Sequence, residues 1–187
     1  AVSVTVDQLL GEVVTATAGT PGMDVSGAEI ATTDGKEQSF KAGDNVREVA
    51  EGEALKFYSE IDGNVVVKGD SIRVSPVFIV SGDVDYDTGN IDVNCKVKIA
   101  GAVKSGFSVK ATGSVTVGGG VELGATISAQ GYIVVSQGVM GETTKLISRG
   151  SVAPKFIQNA AVMARADVVV GSYIFSGQVR AGGQVSV

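Results

Sequence analysis

Gly113-Ser114-Val115-Thr116-Val117 is followed 18 residues later by Gly131-Tyr132-Ile133-Val134-Val135. The phrase is a small residue, a filler and then two β-branched residues one apart. It opens again at Cys95, Gly150, Ala166 and Gly183, so its starts are separated by 18, 18, 19, 16 and 17 residues. Self-similarity at that period marks a solenoid, in which each unit buries its apolar face only by stacking on the next.

Further apolar residues fall between the phrases at roughly six-residue intervals: Val121/Leu123 and Ile127 in one turn, Val139 and Leu146/Ile147 in the next. In Val115/Val117, Val121/Leu123 and Ile133/Val135 the alternation has period two, as in a strand with one buried face. Three short strands per turn, each ended by Gly, Ala, Ser or Asn, predict a coil of triangular cross-section. Successive coils would pair in parallel at ~4.8 Å. Such short sides leave no room for crossover helices, so the fold class is all-β, a parallel β-helix of about 18 residues per coil. Val97, Ile99, Phe107, Val109, Val185 and Val187 are expected inside, and Lys96, Lys98, Lys110 and Asp167 outside. Tyr132, Phe156, Tyr173 and Phe175 are expected to pack in the interior, with stacking or capping of a coil end as the alternative.

Composition agrees. Hydrophobic residues make up 44% of the chain but aromatics only 5%, so the core must be Val, Ile and Ala, which suits narrow coils. With 26 glycines and 3 prolines the chain is rich in corners and too apolar for disorder. No apolar run reaches the length of a membrane span, which predicts no membrane insertion. Ala1-Val2-Ser3-Val4 carries no signal-peptide features, and the missing initiator Met implies a trimmed or partial chain. Cys95 stands alone at a corner, where a small packing residue fits and no disulfide can form.

The first 80 residues differ in kind. Strands of four to six residues alternate with Asp-Gly or Gly-Asp turns, as at Asp34-Gly35 and Asp62-Gly63, and Asp7-Gln8-Leu9-Leu10 could form one helical turn. The expected organisation is a small antiparallel β module over residues 1–80 and the β-helix over 81–187. Pro76 stands near the junction, at an edge or bulge. Residues 1–82 carry 13 acids and 6 bases, a balance of −7, against 7 acids and 9 bases afterwards, a balance of +2. Nucleic acid is therefore not expected as a partner.

Chemistry is sparse. There is no histidine, which removes Ser-His-Asp and Cys-His nucleophiles and His-based metal sites. Gly118-Gly119-Gly120 and Gly182-Gly183 lack the Lys-Ser/Thr of a phosphate-binding loop and read as corners. Asp83, Asp85 and Asp87 alternate, which on a strand would put three carboxylates on one side. They are the candidate interaction residues, although the calcium-loop spacing fails at Thr88 and Asn94. No cofactor and no catalytic or metal-ligating residue is assigned.

Val84-Asp85-Tyr86-Asp87-Thr88-Gly89-Asn90-Ile91, Lys104-Ser105-Gly106-Phe107-Ser108-Val109-Lys110-Ala111 and Ala153-Pro154-Lys155-Phe156-Ile157-Gln158-Asn159-Ala160 resemble the signature of the flagellar assembly protein A family. Upstream, Gly19-Thr20-Pro21-Gly22-Met23-Asp24-Val25-Ser26-Gly27 is similar to that family's Gly-x-Pro-Gly-x-x-Val-x-Gly stretch. The resemblance implies a right-handed parallel β-helix after a smaller β domain, in a bacterial cytoplasmic protein with a part in flagellar assembly or placement, a polar position included. Family members are usually longer than this chain.

The functional expectation is a non-enzymatic scaffold or landmark module with a protein partner or a second copy of itself. Val185 and Val187, at the last strand, are the candidate residues for end-to-end association. Two rival readings are a carbohydrate-active β-helix enzyme using Asp83, Asp85 and Asp87, and a regulatory module whose acidic N-terminal residues dock a basic partner.

Overall fold

The computed structural model describes residues 2–52 and 54–187. Ala1 and Glu53 lie outside the described residues. The fold is all-β, and the chain divides into two compact units.

The larger unit holds Ser75–Val187 together with Asp62–Val65 and the short strand Ser3–Val4. It is a parallel β-solenoid of about six turns. Along the first side run the strands Val77–Val80, Lys96–Ile99, Val115–Val117, Ile133–Met140, Val152–Gln158, Val168–Val169 and Val185–Ser186, each paired in parallel with the next. The second side is a ladder of single-residue bridges, Val84 to Val103 to Val121 to Val139. Ile91–Val93, Ser108–Ala111, Thr126–Ala129, Lys145–Ser148, Ala161–Ala164 and Gln178–Ala181 form the third.

Register turns the repeat into a core. Val97, Val115, Ile133, Val152, Val168 and Val185 stack in one column, and Val109, Ile127, Leu146, Val162 and Val179 in another. Most of these are fully buried, because alternate residues of a pleated strand point into a lumen too narrow for water. Cys95 is buried among them, and burial pushes its thiol pKa up.

Glycine serves two distinct corners. At the one opening each phrase, coils touch: a Cβ on Gly113 would lie 2.7 Å from Lys96 N and 2.9 Å from Cys95 C. At the corner between second and third sides the chain turns left-handed, at Gly89, Gly106, Gly124 and Gly141, with φ from 70° to 111°. Asn159 (54°) and Ser176 (50°) continue that column without glycine.

The large aromatics correct the interior-packing expectation. Tyr132, Tyr173 and Phe175 are exposed, and Phe156 stacks on Tyr173 with centroids 5.0 Å apart, its ring filling the space a side chain at Gly138 would need. Columns of Val, Ile and Leu already fill the lumen, so these four rings pack outside it.

The smaller unit, Val6–Ile61 with Val66–Val74, is built on an antiparallel sheet of Leu9–Val14, Ala54–Ser59 and Val46–Glu51 around the buried Phe57. It is not wholly antiparallel, since Lys41–Ala42 runs parallel to Ser71–Ile72. The helical turn expected at Asp7 is instead a left-handed turn (φ 62°) leading into the strand Leu9–Val14. The ladder from Leu9–Val14 to Ala54–Tyr58 outweighs the local preference.

Candidate functional site

Asp83, Asp85 and Asp87 sit on a turn, not along one strand, because only Val84 bridges to the next coil and the chain then folds back on itself. Asp83 reaches up the solenoid. Its Oδ1 accepts the Ala102 N–H at 2.7 Å, and its Oδ2 lies 3.4 Å from Lys104 Nζ. Lys104 in turn donates to Glu122 Oε1 at 2.9 Å, so acid, base and acid alternate over three consecutive coils. The Ala102 N–H, with help from Lys104, holds the Asp83 carboxyl below the usual carboxylate range. Glu122 and Asp83 together push the Lys104 pKa up.

Asp85 turns onto its own loop. Its Oδ1 accepts from Asp87 N (3.1 Å) and Thr88 N (3.2 Å), and Gly89 N donates to its carbonyl at 2.7 Å. Asp87 is exposed. The three carboxylates therefore present no common face: one fastens coils, one closes a turn and one meets solvent. Among the described residues no three acids or cysteines gather where they could hold a metal ion.

The Asp83 arrangement recurs. Asn90 Oδ1 accepts from Ser108 N (2.8 Å), Ser114 Oγ from Tyr132 N (3.2 Å) and Asp167 Oδ1 from Gln184 N (2.9 Å). A short polar side chain in one coil thus satisfies the corner amide of the next, which serves backbone accounting rather than catalysis. The sequence signal was present as Asp, Asn or Ser one coil below a corner, but it carries meaning only once the register is known.

The lysines do not form a single positive face. Lys96 and Lys98 stand on the first side, Lys110 on the third side 3.9 Å from Asp92, and Lys104 is paired with two acids. Val185 and Val187 are 48% and 69% exposed, because no further coil covers them among the described residues.

In the smaller unit, a groove of about 530 Å³ lies beside Val13, Val14, Phe40, Ala50 and Leu55. Every residue of the arm 20–39 is exposed, and its returning end, Glu37, Gln38 and Ser39, lines this groove.

Residues 76–187 match the family model described as the Flagellar Assembly Protein A beta solenoid domain, and residues 1–70 match the one described as the Flagellar Assembly Protein A N-terminal region. The chain belongs to the Flagellar Assembly Protein A family. No curated protein and no solved structure matches it. The Flagellar Assembly Protein A solenoid match begins at Pro76, whose carbonyl accepts the Lys96 N–H at 3.2 Å as the first coil closes. Neither Flagellar Assembly Protein A description names an enzymatic activity. No helix among the described residues is long and apolar enough to cross a membrane.

Proposed function

We propose that this chain is a non-catalytic scaffold module of flagellar assembly or placement in the bacterial cytoplasm, working through protein contacts and through stacking of its last coil. One observation carries the reading: the solenoid spends its side-chain chemistry on holding coils together. Its well-placed carboxylates and hydroxyls satisfy corner amides, its stacked ion pairs link coils, and its lumen is closed by Val and Ile. What remains for function is a set of rigid outer surfaces and the strand Val185–Ser186, which pairs on one side only among the described residues.

Light scattering over a concentration series tests the stacking, on this chain and on a V185K/V187K variant. Association that grows with concentration and disappears in the variant is the expected result. A monomer at every concentration in the parent chain refutes end-to-end stacking.

A second reading is favoured by the charge division. The −7 balance of residues 1–82 gives the N-terminal region an affinity for a basic protein surface, and contacts of this kind weaken as salt rises.

A further inference from the structure

The arm of the smaller unit has the features of a docking element. Its stem is closed by Gly19 N donating to Asp34 Oδ1 at 2.8 Å and Gly35 N donating to the Thr17 carbonyl at 3.0 Å. At its tip the strands Gly22–Met23 and Glu29–Ile30 pair antiparallel. The turn between them is organised by one carboxylate oxygen: Asp24 Oδ1 accepts from Ser26 N (2.8 Å), Ser26 Oγ (2.7 Å) and Ala28 N (2.9 Å). Gly27 supplies the left-handed residue, with φ 84°.

This ordered tip holds up apolar side chains that nothing covers. Met23 is 76% exposed, Ile30 54%, and Val25 as open as in an extended peptide. A single exposed apolar residue is ordinary, but three on a hydrogen-bonded turn are not explained by folding, since they contribute no burial. Pre-ordering of the turn lowers the entropy lost when such side chains enter a pocket.

Charge selects the occupant. Residues 20–39 carry Asp24, Glu29, Asp34 and Glu37 against Lys36 alone. A second copy would bring the same acidic surface against this one, and an anionic membrane would repel it. We propose that the arm 20–39 docks by seating its hairpin tip, with Met23 on one face, Ile30 on the other and Val25 at the turn, in an apolar cleft of a partner protein rimmed by Lys or Arg. This rests on the reading of the N-terminal region as an acidic docking module and names the element that does the docking.

The test uses the intact chain and two labelled peptides of equal positive charge, one alternating Lys with Leu and one alternating Lys with Ser, followed by fluorescence anisotropy at low and high salt. The Lys/Leu peptide is expected to bind at least tenfold tighter than the Lys/Ser peptide, with both weakened by salt. A variant carrying M23S, V25S and I30S is expected to lose that preference and keep the residual salt-sensitive binding. Its melting temperature should stay unchanged, because the tip packs against nothing. Equal affinity for the two peptides, or a preference that survives in the variant, overturns the insertion element while leaving the acidic-module reading intact. No salt-sensitive binding of either peptide overturns both. Tip-dependent sedimentation with neutral phosphatidylcholine vesicles, or tip-dependent dimerisation in light scattering, overturns the assignment of a basic protein partner.

Discussion

Gly113 and Gly82 both occupy corners of the solenoid unit, yet alanine should treat them in opposite ways. At Gly113 a Cβ would stand 2.7 Å from Lys96 N and 2.9 Å from the carbonyl carbon and oxygen of Cys95. These are backbone atoms of the coil below, so no rotamer change can make room. The coils must part by more than half an ångström, against the bond from Gly113 N to Cys95 O (3.2 Å) and that from Val97 N to Ser114 O (2.9 Å). Overpacking of this kind costs about 1–3 kcal/mol where side chains can yield, and here the upper end applies. At Gly82 a Cβ meets nothing within 4 Å and the backbone is not left-handed. Gly82→Ala should therefore be neutral, or stabilising by up to about 1 kcal/mol through the unfolded state. The two variants should differ by about 3–4 kcal/mol in urea unfolding, or by about 6–16 °C in melting temperature for a chain of this size. Amide hydrogen exchange should show the loss concentrated at Val97 and Gly113. A Gly113→Ala variant within 1 kcal/mol of Gly82→Ala would refute the argument that coil-to-coil contact dictates this glycine.

Leu146 is fully buried between Ile127 below and Val162 above, in backbone held on both sides by hydrogen bonds. The cavity left by Leu146→Ala cannot collapse, so a loss of about 3–5 kcal/mol is expected in denaturant unfolding. Ser176 holds φ 50° at a corner that four earlier coils give to glycine, so Ser176→Gly should raise stability by about 0.5–1 kcal/mol in a melting experiment. Asp24 has its pKa lowered, chiefly by the Ser26 hydroxyl and then by the Ala28 and Ser26 amides. Because the folded value lies below the unfolded one, the hairpin's support from this carboxylate is complete above about pH 4 and disappears as pH falls further. Amide exchange at Ser26 and Ala28 should accordingly be protected at neutral pH and lose that protection only in acid.

The solenoid was legible because its core obeys one rule per strand. Val97, Val115, Ile133, Val152 and Val168 carry the same side-chain type at the same phase, and parallel stacking converts phase directly into a column. Residue type alone puts the aromatics inside, whereas columns of Val, Ile, Leu and Ala fill the lumen and Phe156 finds its space over Gly138. Asp83, Asp85 and Asp87 alternate as they would on a strand. The left-handed Gly89 and the Asx turn at Asp85 interrupt the strand there, and no local pattern separates the two outcomes. The recruitment of Ser3–Val4 against Gly63–Asn64 was invisible for a different reason, since it joins residues some sixty positions apart through backbone pairing alone.

The register of the coils also means that the length of this solenoid is quantised. Removing one residue from Val115–Val117 would send the inward column outward in that strand and break its match to the coils on either side. Removing all of residues 113–130 would bring Gly131 to the place of Gly113 and let Ile133 and Val135 stack directly on Val97 and Ile99. Small deletions should therefore be ruinous where a deletion many times larger is tolerated. The molecule can be lengthened or shortened in steps of ~4.8 Å, one whole coil at a time, at the cost of coil-to-coil contacts such as Lys104–Glu122.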